Sequence, residues 1–154
     1  MSTSATETVT PPAKPPAKAL VTWAGAHRFD AQAAAGKPSI RMDASGETGP
    51  GPVITLLCAL AACTCVDVVD ILEKRRTPPE TLTVNVEGDR FNGVPGRLTK
   101  IHLVYDITGA AVERVHAERA IELAVTKYCS VRDSLDPNMP VTWELRLNGA
   151  ASEA

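Results

Sequence analysis

The chain has no surplus of basic charge: 16 Lys and Arg stand against 18 Asp and Glu, for a formal net charge of -2. Nucleic acids and anionic membranes are bound through clustered excess Lys and Arg, so neither is an expected partner. No basic segment followed by an apolar stretch lies near Met1, so nothing there reads as a secretory signal and a cytoplasmic setting is the default expectation. Internal repeats are also missing. The glycine-rich segment at 46–52, GETGPGP, contains neither GK[ST] nor GxGxxG, which removes the usual phosphate cradles. No CxxC is present and no histidine lies beside a cysteine. Cys58, Cys63 and Cys65 make no helical ligand set, because residues two apart on a helix point to different faces. No metal and no other cofactor is therefore expected.

What is present is the material of one globular domain, 154 residues with 44% hydrophobic and 22% charged side chains. Residues 1–18 combine Ser, Thr, Pro and Ala without an apolar period and read as a disordered tail, with the domain running over 19–154. Alternation around Ala19, Val21 and Trp23, then at Arg28 to Ala31 and Ser39 to Met42, predicts three short strands. After the GETGPGP loop, residues 53–76 are Leu- and Ala-rich, carry Lys and Arg only in the last turn, and stop before Thr77-Pro78-Pro79. This segment is apolar on nearly every face of its first four turns. Asp67, Asp70 and many small residues argue against a membrane span and for a helix buried all round in a domain or a dimer.

Leu82, Val84 and Val86 alternate with Thr83, Asn85 and Glu87, and Ile101, Leu103, Tyr105 and Ile107 repeat the pattern. Val141, Trp143, Leu145 and Leu147 do so once more. Between them, Val112 to Tyr128 has helical spacing with charges on the other side. Strands pooled with helices on one side predict an α+β fold rather than a doubly wound sheet.

The four cysteines are Cys58, Cys63, Cys65 and Cys129. Free cysteine is commonly core filler, so position must decide which of them does chemistry. Cys63 lies mid-helix in ALAACTC, and Cys129 follows the second helix in KYCSV, so only tertiary folding can join them. A dry pocket in an apolar helix can hold a thiol against an apolar substrate, but burial disfavours the thiolate, and a nucleophilic Cys63 would need a cation nearby. Attack on a peroxide gives a sulfenic acid, which a second thiol converts to a disulfide. His27, His102 and His116 are scattered; for the last two the reading is local bonding or solvation rather than catalysis.

GPGPVITLLCALAACTCVDVVDILEKRR resembles the central helix of the OsmC/Ohr family, where a Gly-Pro loop leads into a Leu/Ala-rich run ending in Ala-Ala-Cys or Gly-Gly-Cys. ERAIELAVTKYCSV resembles the same family's second cysteine motif. With GVPGRLTKIHLVYDITG and WELRLNG, the resemblance covers residues 19 to 149. It implies an OsmC-like antiparallel sheet with a long buried central helix and a second amphipathic helix, in an intertwined homodimer with active sites at the interface. It also implies a thiol peroxidase acting on organic hydroperoxides and recycled by a small or protein-bound dithiol reductant. Carried over by motif, Cys63 is the peroxidatic thiol and Cys129 the resolving one. Arg28, in GAHRFD, matches the strand arginine that stabilises the thiolate; its alternative reading is a strand arginine on a solvated face. The sequence departs from the family where many members place a Glu just after the proline that opens the helix, since Pro52 is followed by Val53 and Ile54. The rival function is a non-catalytic relative that binds an apolar small molecule at the interface, with the cysteines as packing or as a redox sensor.

Overall fold

The computed structural model describes residues 13–151. The expected tail falls partly outside that span, and residues 13–18 form no regular element. The chain divides into two compact units, up to Pro50 and from Gly51 onward.

The first unit is a three-stranded antiparallel sheet of β1 (Leu20–Trp23), β2 (Arg28–Gln32) and β3 (Ser39–Asp43) in sequence order. Arg41 reaches across to Asp30 on the neighbouring strand as a two-point pair, Nη2 donating to Oδ2 at 2.8 Å. Asp43 closes the unit. Its carboxylate is buried and accepts from the backbone N–H and hydroxyl of both Ser45 and Thr48, which holds it well below the usual carboxylate range. Those four bonds fix the loop. Gly49 is required there by close approach, since a Cβ would lie 2.3 Å from the Arg41 carbonyl oxygen.

The second unit opens with α1 (Pro52–Lys74), which has Pro52 in its first turn and Lys74 in its last. Length and composition alone would let α1 span a bilayer. Its side chains Leu57, Leu60, Thr64, Val68 and Leu72 instead form a buried stripe within the same core as β5. The expectation of burial all round needs correction within a single chain. Ile54, Cys58, Ala62 and Val66, at four-residue steps, form an exposed stripe, with Ile54 at 52% and Val66 at 61%.

β4 (Thr81–Arg90) pairs antiparallel with β5 (Leu98–Thr108), whose inward residues Ile101, Leu103, Tyr105 and Ile107 are almost fully buried. α2 (Arg114–Leu123) continues into a π-helical turn at Ala124–Tyr128, followed by the short α3 (Ser130–Asp133). The chain then enters β6 (Val141–Leu147), from which β7 (Ala150–Ala151) turns back. Asn148 and Gly149, with φ of 51° and 84°, make that two-residue turn. The α+β architecture holds, and one strand pair departs from the all-antiparallel expectation. β5 and β6 run parallel, in register from Ile101↔Val141 to Ile107↔Leu147, because the helical crossover between them returns the chain to the same end of the sheet.

Candidate functional site

Cys63 sits midway along α1, half-buried and packed against the core. Cys129 lies at the junction of the π-helical turn and α3, where it is 3% exposed. The wide turn is completed by the Cys129 N–H donating to the Ala124 carbonyl at 3.0 Å. Cys129 itself has extended backbone, and its Sγ accepts from the Arg132 N–H at 3.3 Å as the cap of α3.

This arrangement brings the Cys63 thiol near enough to Cys129 to influence its titration, and all four cysteines of the chain are free. Burial pushes the Cys129 thiol up to about 11, and its hydrogen-bonding contact with Cys63 adds to the effect; the N–H groups of Arg132 and Val131 pull the other way but do not win. At neutral pH the Cys129 proton therefore stays in place. Cys65 is also raised by burial, and Cys58 is exposed on the outer stripe of α1.

Behind the pair is a polar contact that the sequence reading missed. Tyr105 Oη donates to Thr64 Oγ1 at 2.7 Å, and Thr64 Oγ1 donates to the Ala61 carbonyl at 2.9 Å. Burial drives the phenol upward, beyond its ordinary range, against the lowering pull of the Thr64 bond; the nearby Cys65 and Cys129 thiols push it further. Tyr105 is thus a neutral donor that ties β5 to α1 one residue beyond Cys63. The hint in the sequence was a tyrosine at an inward position of a strand, where its hydroxyl must find a partner.

A cavity of about 310 Å³ opens beside Cys129, with Val125, Thr126, Lys127, Arg132 and Val141 in its wall. The Arg132 guanidinium is held by the Asp136 and Met139 carbonyls. A separate, more apolar cavity of about 290 Å³ includes Val53, Leu56, Leu98, Leu135 and Met139.

Arg28 is in the first unit, on β2, half-buried, with Nε donating to the Gly25 carbonyl at 3.4 Å. It lines a cavity of about 180 Å³ together with His27, Asp43 and Glu47. Of the three residues singled out by motif, the structure brings Cys63 and Cys129 together, while Arg28 has its contacts within its own unit. His102 Nδ1 meets Thr142 Oγ1 at 2.8 Å, and His116 Nε2 meets Arg75 Nη2 at 2.6 Å, so both histidines have local partners. Among the described residues no cluster of His, Cys, Asp and Glu could hold a metal ion.

Comparison with known proteins agrees with this architecture. The family described as OsmC-like protein matches residues 44–144. Protein YhfA of Escherichia coli K12 is 30% identical over 125 residues, covering 81% of this chain and 93% of YhfA. An OsmC-like protein from Mycoplasma pneumoniae superposes with a TM-score of 0.73 at 18% identity, over 88% of this chain and 99% of that one. The organic hydroperoxide resistance protein OhrB of Bacillus subtilis does so with a TM-score of 0.56 at 19% identity, over 83% and 97% of the two chains. At those identities the two structures speak for the fold alone. The family match and the YhfA relationship go further: this chain belongs to the OsmC-like protein family.

Proposed function

We propose that the protein is a two-cysteine thiol peroxidase that reduces organic hydroperoxides, with Cys63 as the attacking thiol and Cys129 as the resolving one. The observation that carries this reading is the proximity of a half-buried thiol on an apolar helix to a second, buried thiol whose proton is held up to about 11. Burial keeps Cys129 protonated at neutral pH, which leaves the first attack on the peroxide to Cys63. Attack by Cys63 would transfer the distal peroxide oxygen to sulfur and release an alcohol. Condensation with Cys129 would then form the disulfide and release water, and a dithiol reductant would restore both thiols. The organic hydroperoxide resistance for which OhrB is named supports the substrate class by likeness of fold.

In this proposal the working form is a homodimer in a reducing, cytoplasmic setting. The exposed stripe of Ile54, Cys58, Ala62 and Val66 supports the dimer, because a contiguous apolar helix face left in water favours association. Arg28 would stabilise the Cys63 thiolate, with Glu47, which lines the same cavity, as its orienting carboxylate in place of the acid missing after Pro52. A non-catalytic binder of apolar molecules is the second reading, favoured by the missing acid and by the apolar cavity at Val53 and Leu56.

Stopped-flow consumption of cumene hydroperoxide with excess dithiothreitol tests the choice. Wild type should turn over, Cys63→Ser should be inert, and Cys129→Ser, assayed without the dithiol, should consume about two equivalents, the first giving the sulfenic and the second the sulfinic acid, and then stop. A folded wild-type dimer that consumes no hydroperoxide would overturn the peroxidase reading. Sedimentation as a stable monomer at micromolar concentration would overturn the dimer.

A further inference from the structure

We propose that the cavity beside Cys129 is the entrance for the reducing thiol, and that recycling begins with attack on the Cys129 sulfur rather than on that of Cys63. This rests on the disulfide chemistry proposed above, and adds to it which sulfur is attacked and from where.

Cys129 is nearly sealed from solvent, yet it is one of the residues that line a cavity of about 310 Å³; Cys63 is not among them. A volume of this size admits a slim aliphatic dithiol. Val125 and Val141 supply apolar wall for its chain, and Lys127, whose ammonium rests 5.5 Å from the Tyr128 ring centroid, supplies a cation where a thiolate would enter. Arg132 adds a second cation and Asp133 one carboxylate, so the wall carries more positive than negative groups.

The leaving group points the same way. In thiol–disulfide exchange the better-stabilised thiolate leaves faster. Attack on Cys63 would expel Cys129 as a thiolate into the buried setting that holds its proton tightly, whereas attack on Cys129 expels Cys63. The steps balance as follows. The reductant thiolate bonds to Cys129 Sγ, the Cys63–Cys129 bond breaks, and its electron pair leaves on Cys63. The second thiol of the reductant, having lost its proton, attacks the first reductant sulfur. A cyclic disulfide departs, and Cys129 leaves as a thiolate that takes up that proton. The dithiol is oxidised by two electrons and the protein disulfide is reduced by two.

The test uses the full chain oxidised with one equivalent of cumene hydroperoxide or, separately, with diamide. The disulfide is reacted with the monothiol 2-mercaptoethanol, quenched with iodoacetamide and mapped by peptide mass. The expected result is mercaptoethanol on Cys129 and the alkyl group on Cys63; the reverse distribution would overturn the proposal. Thr126→Trp, at an exposed position of the cavity wall, should slow reduction by dithiothreitol at least about tenfold. Lys127→Glu should slow reduction by dihydrolipoate severalfold, with the difference shrinking at high salt. Wild-type reduction rates in both variants, with melting temperatures unchanged, would overturn the proposed entrance while leaving the peroxidase reading intact. If neither oxidant forms a Cys63–Cys129 disulfide, the peroxidase reading fails and this inference fails with it.

Discussion

Raising the pH should destabilise the protein through Cys129 in particular. The thiol is moved from its ordinary 9.0 to about 11 in the folded chain, chiefly by burial. Below pH 9 both folded and unfolded chains hold the proton, and Cys129 imposes no pH dependence. As the pH rises past 9 the unfolded chain releases this proton while the folded chain retains it, so unfolding is favoured, and the effect levels off only above about 11. Across that window the loss is on the order of a few kcal/mol, and it is greatest as the pH nears 11. The assay is urea unfolding under reducing conditions at several pH values from about 8 to 10.5, comparing wild type with Cys129→Ala. The substitution has its own packing cost, but that cost is the same at every pH, so the informative quantity is the difference in slope. Tyr105, also raised by burial, titrates in both proteins and largely cancels. Parallel stability curves for the two proteins would refute the claim that Cys129 is held as a buried thiol.

Tyr105→Phe removes the donor to Thr64 while leaving Thr64 its own bond to Ala61, and should cost about 1–2 kcal/mol, seen as a lower urea midpoint with an unchanged m-value. Asp43 is held below the ordinary carboxylate value of 3.8, so the stability it contributes is present above that pH and is lost as the pH falls. The amide resonances of Ser45 and Thr48 should therefore keep their positions down to well below pH 3.8 in wild type and be displaced at every pH in Asp43→Ala. Val53→Glu, which restores an acid after Pro52, should speed reaction with cumene hydroperoxide severalfold. No gain there, together with a loss in Glu47→Gln, would assign the orienting role to Glu47.

Most of this fold was legible because its elements carry one strong period each. Alternation at Ile101, Leu103, Tyr105 and Ile107 marks the strand face that is buried, and the Leu/Ala-rich run at 53–76 marks α1 to within one residue at its start and two at its end. Composition could not say which face of α1 its own chain covers, because every face is apolar and only packing against β5 selects Leu57, Leu60, Thr64, Val68 and Leu72. The parallel pairing of β5 with β6 was equally hidden, since alternation is the same in either direction. β7 had a signal that went unread, Asn148-Gly149 at a hairpin corner. At the site, Cys63 and Cys129 were found through their surrounding motifs, and nothing local to either cysteine foretells the other. The π-helical turn and the Tyr105–Thr64 bond were invisible for a related reason: both depend on what lies opposite in space.

The turn at Ala124–Tyr128 takes up an extra residue immediately before Cys129. An α-helix advances about 100° per residue, and the π-helical turn holds one residue more than that rhythm allows. Deleting one residue from 125–128 would put Cys129 four positions after Ala124, so that the same N–H to carbonyl bond would close an ordinary α-helical turn and Cys129 would stay near its place. Substitutions at Thr126 or Lys127, both exposed, leave the count intact. The two thiols therefore meet across a turn that takes up its extra residue as a local bulge, tolerant of exchange along its exposed positions and of the loss of that one residue.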